Sequence, residues 1–214
     1  MMNFHIITLH PEFIQSYCQF GVFASALRKQ IASLNIIPLR NFAVDKSGTI
    51  DGKPYGGGDG MVLRCEPIEK ALSQISANKK VILTSPQGRL WKQEDAETLS
   101  EEKKDIVFIC GRFGGVDKRA IDLFVDEEVS VGNYILSGGE LASLSILDST
   151  LRLLPGVLGN NESALFDTFS LPNNRKKEHP LYTKPRIYKG KEVPPVLLSG
   201  DHNKIKSWKK QNTN

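Results

Sequence analysis

Short apolar runs, each cut off by glycine or proline, alternate along most of the chain with longer stretches of helical periodicity. Runs of this kind fit strands buried on both faces, the mark of a parallel α/β sheet. Residues 4–9 are the first, ending at His10-Pro11. Pro11 suits the first turn of a helix from Glu12, whose apolar positions include Phe13, Ile14 and Tyr17. A second helix is expected over 22–32 and a strand over 35–39. Residues 45–60 hold six glycines and a proline. That is too much backbone freedom for a regular element, and it predicts a loop, either functional or disordered. An apolar patch at 61–63 and a helix over 66–76 follow, with Ile68, Leu72 and Ile75 on one face.

The runs at 81–84 and 106–110 flank a polar helix expected over 93–103, a β–α–β pattern. A helix over 117–124 and a strand over 127–136 precede a long helix over 140–154. Three strands thus run into glycine or proline loops, at Ser85-Pro86, Gly111-Arg112 and Ser137-Gly138-Gly139. In a parallel sheet all three emerge at the carboxyl edge, where such folds hold their ligands. The stretch 129–141, V-S-V-G-N-Y-I-L-S-G-G-E-L, stands out among them. Two glycine-dependent turns so close together leave main-chain N–H and C=O groups open to a small ligand. Alone, Gly138-Gly139 would read as a tight turn opening the next helix; the other two loops raise it above that.

Beyond Gly159 the periodicity fades. A domain is expected over 1–159, a flexible interdomain linker over 160–178, and a short basic C-terminal domain over 179–214. The last contains a basic helix over 203–210 with Ile205 and Trp208 on its inner face.

Charge sharpens this division. From Arg175 onward there are 11 Lys or Arg against three acids, although the whole chain carries only +4. A mildly acidic body with a basic tail points to an element that touches a polyanion, against the plainer alternative of a solvated tail. No apolar run approaches the roughly 20 residues that span a bilayer, so no membrane partner is expected. The amino terminus lacks the basic region of a secretory signal. Cys18, Cys65 and Cys110 are an odd count without C-x-x-C spacing, which argues against a disulfide framework or a zinc site and fits a reducing cytoplasm.

The familiar catalytic motifs are missing. No G-x-G-x-x-G follows the first strand, there is no G-x-x-x-x-G-K-[ST], and no G-x-S-x-G elbow occurs. Gly56, Gly57 and Gly58 could cradle phosphate, but no lysine-plus-hydroxyl pair follows them. Four histidines without ligand spacing leave no metal site to propose.

The blocks P-Y-G-G-G-D-G-M, L-T-S-P-Q-G, I-C-G-R-F-G-G-V-D, Y-I-L-S-G-G-E-L, R-L-L-P-G-V-L-G, H-P-L-Y-T-K-P and E-V-P-P-V-L-L-S-G-D-H cover nearly the whole chain up to Trp208. As an ordered set they resemble the bacterial tRNA (guanine-N1)-methyltransferases of the SPOUT class. The resemblance implies an α/β fold, a SPOUT-type parallel sheet with a deep trefoil knot, plus a small basic C-terminal helical region. General topology rules would not have predicted a knot. It implies S-adenosylmethionine bent within the knot, held by Leu83, Thr84, Ser85, Pro86, Gly111, Val131, Gly132, Asn133, Tyr134, Ile135, Leu136, Gly138 and Gly139. The implied reaction methylates N1 of guanine at tRNA position 37, beside the anticodon. Asp167 would take the N1 proton, and Arg152 would steady the charge growing on O6. The chemistry asks for both, because a protonated ring nitrogen is a poor nucleophile and its electrons delocalise onto the oxygen.

The resemblance further implies a homodimer, with the linker and basic region of one subunit closing over the cofactor of the other, and a linker ordered when tRNA binds. A magnesium requirement is implied too, although no metal spacing is visible. Asp51, Tyr55, Gly56, Gly57 and Gly58 are the candidate contacts to the extruded guanine. Asp51 and Tyr55 could equally be turn chemistry. The sequence departs from the family pattern in places. Gly114 stands where a glutamate usually faces the cofactor's methionine end. Asp59 and Ala142 stand for prolines, Ser47-Gly48 for His-Arg, and Phe166 for an acid. Relatives also continue through further helices past Trp208, so a shortened RNA-binding domain is expected. These departures support a second reading, a knotted RNA-binding protein with lost or altered methyltransferase activity; a third is a methyltransferase for another RNA guanine. Retention of Asp167, Arg152, Ser85-Pro86 and Gly138-Gly139 favours an active enzyme.

Overall fold

A computed structural model describes residues 1–159 and 167–213. Its contacts divide the chain into two compact units, Met1–Gly159 and Asn160–Asn214. The first part of the expected linker, 160–166 with Phe166, lies outside the described residues.

In the first unit the elements run β1 (Met2–Thr8), α1 (Pro11–Tyr17), α2 (Gly21–Arg28), β2 (Ala32–Pro38), a 3-10 turn (Leu39–Phe42), β3 (Asp51–Gly52), β4 (Val62–Leu63) and α3 (Cys65–Leu72). They continue with β5 (Lys79–Leu90), α4 (Gln93–Ser100), β6 (Asp105–Cys110), α5 (Lys118–Phe124), β7 (Glu127–Ser130) and α6 (Glu140–Leu151). The main sheet has the order β2-β1-β6-β5-β7, and every neighbouring pair is parallel. The small pair β3–β4 is antiparallel and separate.

The two-residue period of a strand explains the layers. On β6, Ile106, Phe108 and Cys110 pack with Ile14, Phe23, Leu99 and Leu147, so α1, α2, α4 and α6 cover one face. Val107 and Ile109 pack with Ile68, Leu72 and Ala120, so α3 and α5 cover the other. A strand with both faces buried reads as a continuous apolar run, as this one does. The helix α6 buries Ala142, Leu144, Ile146, Leu147 and Leu151 together with Ser143 and Thr150. It is therefore an interior helix with little polar face.

Three expectations need correction. Ser85-Pro86-Gln87-Gly88 does not end a strand, because β5 resumes and pairs Arg89 and Leu90 with Val129 and Ser130. Those four residues are an insertion at which the register with β7 shifts after Thr84. Pro86, which has no N–H to give a ladder, sits exposed within it. The strand expected over 127–136 stops at Ser130. There Ser130 Oγ donates to Gly132 O and accepts from Gly132 N, and Tyr134 N donates to Gly132 O, so the chain turns out of the sheet. The loop 45–60 is not wholly irregular either. Ile50 is buried, Val44 N donates to Thr49 O, and Asp51-Gly52 pairs with Val62-Leu63.

In the second unit the strands β8 (Ile187–Tyr188) and β9 (Lys191–Glu192) form an antiparallel hairpin, followed by a 3-10 turn (Pro195–Leu198) and α7 (His202–Gln211). Asp201 caps α7 by accepting from Asn203 N and Lys204 N. The rings of His179 and Tyr182 lie 6.1 and 6.3 Å from that of Trp208, so Trp208 on α7 gathers these two rings of the unit. Residues 169–176 form a closed turn in which Phe169 N donates to Lys176 O and Arg175 N to Ser170 O. Among the described residues no helix is long and apolar enough to cross a membrane.

Truncation of Phe108, which is fully buried at the sheet centre, is expected to cost about 3–5 kcal/mol in urea unfolding. A loss well below that would place Phe108 outside the core. His5 gives a pH dependence. Burial lowers its pKa, and Asp105 opposes that only in part, with Oδ2 3.7 Å from Nε2. The unfolded chain therefore takes up the proton first, so stability falls as pH drops below about 6.5 towards the depressed folded value. The difference in urea midpoint between pH 7.5 and pH 5.5 should shrink in His5→Gln; an unchanged difference would remove His5 from the acid response.

Candidate functional site

The insertion in β5 and the carboxyl ends of β6 and β7 surround a cleft of about 350 Å³. Its walls are 83–87 from β5 and its insertion, 111–116 after β6, 128–132 at the end of β7, and 134–139 before α6, with Ala142 behind. The apolar residues Tyr134 and Ile135 are 56% and 79% exposed, because they line this opening instead of the sheet.

Close packing of two backbones holds the cleft together. Gly139 N donates to Gly111 O over 2.8 Å, and Gly138 forms an antiparallel bridge with Arg112. A Cβ on Gly139 would lie 2.2 Å from Thr84 Oγ1 and 2.8 Å from both Cys110 Cα and Gly111 N. Only a residue without a side chain lets the loop approach this near. The buried Thr84 hydroxyl lies 3.2 Å from Gly139 O, 3.3 Å from Ile109 O and 3.4 Å from Ser143 Oγ. Thr84 thereby ties β5 and β6 to the entrance of α6. Burial, reinforced by the charge of Glu140, pushes the neighbouring Cys110 up to about 12, so it stays a thiol and packs beside Ser143.

Glu140 is the buried acid of this region, with only 4% of its surface exposed. It accepts a hydrogen bond from Thr8 Oγ1 at 2.8 Å, and its other oxygen lies 4.0 Å from Arg112 Nη1. Since Arg112 also lines the cleft, Glu140 links β1, the loop after β6 and the start of α6. A paired carboxylate of this kind costs less to bury than a lone one.

The loop after β6 is bonded outward as well. Gly114 N donates to Met61 O over 2.7 Å, and Leu63 N donates to Gly115 O over 2.9 Å. The cleft wall and the stem of the 51–63 hairpin are thus one hydrogen-bonded piece. At its outer end Gly56, Gly57 and Gly58 all have φ between 83 and 117°, and Tyr55 is 98% exposed. Phe113 takes φ 58° at the cleft wall, a conformation unfavourable for a bulky residue.

Of the residues expected to hold a cofactor, Leu83, Thr84, Ser85, Pro86, Gly111, Val131, Gly132, Tyr134, Ile135, Leu136, Gly138 and Gly139 line the cleft. Asn133 does not: it is exposed at the apex of the turn closed by Tyr134 N and Gly132 O. Arg152 closes α6, where its charge opposes the burial that raises the Asp148 carboxyl. Asp167 belongs to the second unit and is partly buried, and its carbonyl accepts from Ser170 N. Arg112, Phe113 and Gln87 in the cleft, and Glu140 behind it, were not anticipated as site residues. Glu140 carried a readable signal, an acid at the first position of a helix whose other acid, Asp148, comes only two turns later. Among the described residues no group of three or more His, Cys, Asp or Glu side chains is assembled to hold a metal.

Comparison with known proteins bears on this cleft. The model of the family described as tRNA (Guanine-1)-methyltransferase TrmD matches residues 2–214. A tRNA (guanine-N(1)-)-methyltransferase of Buchnera aphidicola subsp. Acyrthosiphon pisum is 44% identical over 209 residues, 96% of this chain and 87% of that protein. The protein of that name from Carboxydothermus hydrogenoformans is 46% identical over 98% of this chain and 82% of its own. That from Methylacidiphilum infernorum is 45% identical over 98% and 90%.

The packing predicts that Gly139→Ala loses about 1–3 kcal/mol in urea unfolding, because backbone must move to admit the methyl. Gly159→Ala, where nothing lies within 4 Å of an added Cβ, is the control and should change stability by less than about 0.5 kcal/mol. Equal effects at the two positions would refute the close approach.

Proposed function

The chain belongs to the tRNA (guanine-1)-methyltransferase family, and from that membership we propose that it transfers the methyl group of S-adenosylmethionine to N1 of guanine 37 in tRNA. The observation that carries this reading is the cleft formed by the insertion in β5 and the loops that follow β6 and β7, which offers main-chain groups toward the carboxyl edge of a parallel sheet.

The residues present suit this donor. A volume of about 350 Å³ lies within the range of small-ligand pockets. Ile135 and Leu136 supply apolar walls for a base, loops 83–87 and 131–139 supply backbone donors and acceptors, and Arg112 supplies a cation for a carboxylate. When bound, S-adenosylmethionine supplies an electrophilic methyl on its sulfonium. The chain's own residues do the rest. The carboxylate of Asp167 removes the proton from guanine N1 as that nitrogen becomes the nucleophile. The guanidinium of Arg152 stabilises the negative charge that develops on O6. Asp51, Tyr55, Gly56, Gly57 and Gly58 contact the guanine, supported by the exposure of Tyr55 and the bonds between this hairpin's stem and the cleft wall. Placement of both reactants in one geometry supplies the remaining acceleration.

In this reading the loops around Gly111 and Gly139 belong to a trefoil knot, residues 160–178 link the two parts, and 179–214 bind tRNA. A second copy completes each site; the exposure of Phe13, Phe20 and Leu141 supports an apolar contact between copies. Magnesium enters through the family resemblance: loss of transfer with EDTA and recovery with added magnesium would support it.

The test is methyl transfer from labelled cofactor to unmodified tRNA transcripts, with nucleoside mass analysis of the product. Transcripts carrying guanine at position 37 should yield 1-methylguanosine there, whereas product at another position or none would overturn the reading. Asp167→Asn should lower turnover by about 10²–10⁴ while calorimetric binding of S-adenosylmethionine persists. Arg152→Ala should lower it by about 10²–10³. Unchanged turnover would remove either residue from the mechanism. A wild-type protein that binds no S-adenosylmethionine would favour the non-catalytic alternative, for which Gly114 is the motivating observation.

A further inference from the structure

The hairpin of β8 and β9 lies within the residues read above as binding tRNA, but none of its side chains has been given a role. Its four strand residues are all exposed, including Ile187 at 58% and Tyr188 at 63%. An isolated two-stranded hairpin has little stability of its own, and one without a buried face gains none from packing. Local chemistry holds this one in shape. Lys189 and Gly190 have φ of 47° and 77°, the double left-handed turn that matches strand twist in a two-residue hairpin. The Arg186 guanidinium donates to Glu192 Oε1 from Nε at 3.1 Å and Nη2 at 2.9 Å, and Val193 N donates to Arg186 O.

That stem pairing uses the hairpin's one acid and leaves the tip cationic. Tyr188 pairs across the hairpin with Lys191, so both side chains share one face. The Lys189 ammonium lies 5.6 Å from the centroid of the same tyrosine ring. An exposed phenol with one ammonium over its ring and a second lysine opposite it on the hairpin has the chemistry of a single-strand platform: an open π-face for a base and cations for the phosphates beside it. It sits in the part of the chain with 11 basic residues against three acids, which favours a polyanion over a protein surface.

We propose that this hairpin is an RNA contact, in which Tyr188 stacks on an unpaired base of the tRNA and Lys189 and Lys191 bind the adjoining phosphates. The inference rests on the tRNA reading above for the identity of the RNA, and on the hairpin alone for the contact.

The experiment measures binding of the full-length protein to an unmodified tRNA transcript by fluorescence anisotropy across a salt series, with calorimetric titration of S-adenosylmethionine as the check on folding. Tyr188→Leu should weaken binding about tenfold, while Tyr188→Phe, which keeps the ring, should bind as wild type. The double variant Lys189→Gln/Lys191→Gln should reduce the slope of log affinity against log salt by about 1.5. Cofactor affinity should not change in any of them. Wild-type affinity and slope in both Tyr188→Leu and the double variant would overturn the proposal. So would a change confined to oligomeric state, which would make the hairpin an interface between copies. Methyl transfer by the wild type separates the two readings. A protein that binds RNA through Tyr188 yet methylates nothing defeats the enzyme reading alone; one that methylates, with variants that bind normally, defeats this one alone.

Discussion

The site depends on one steric constraint, the approach of the Gly138-Gly139 segment to the end of β6. Gly139 gives its N–H to Gly111 O, lies against the Cα of Cys110, and leaves no room for a Cβ. Thr84 then reaches across from β5 to both Ile109 O and Gly139 O. Thr84 within β5, the end of β6 and the entrance to α6 are therefore pinned together within hydrogen-bonding distance. Everything that opens into the cleft is positioned by that knot of contacts, and interiors this dense do not accommodate an added methyl without backbone movement.

From this centre the order propagates in two directions. Inward, Glu140 carries it to β1 through Thr8 and to the cleft through Arg112. Outward, Gly114 and Gly115 carry it to β4 through Met61 and Leu63, and so to the hairpin that presents Tyr55. Gly114 has a place in this arrangement. A Cβ there would meet Met61 O at 3.0 Å, so the bare backbone suits the contact it makes.

The second unit works on different terms. His179 and Tyr182 gather around Trp208, and the unit's β-hairpin is held by turn chemistry and one ion pair, not by a buried face. Charge and exposed side chains, more than shape, are what it offers a partner.

Much of this was legible in the amino-acid sequence, and the reason is periodicity. The run Ile106–Cys110 announced a strand buried on both faces, and the pattern of 140–154 announced the long helix observed over Glu140–Leu151, because burial leaves a local mark on residue type. The glycine blocks identified the loops that line the cleft. What local pattern could not supply was which backbone would press on which. The tripeptide Tyr134-Ile135-Leu136 is as apolar as a strand, yet it lines an opening, and Ser85–Gly88 looked like the end of a strand that in fact resumes at Arg89. In both cases the deciding partner is distant in sequence: Gly111 for the first loop, Glu128 and Val129 for the second. Composition and spacing therefore determined the elements, the parallel sheet and the chemical character of the cleft. Only the tertiary structure decided that Asn133 turns away, that Glu140 is buried against Thr8, and that Arg112 enters the site. The last two outcomes depend on contacts between residues 26 to 132 positions apart, and no local propensity encodes them.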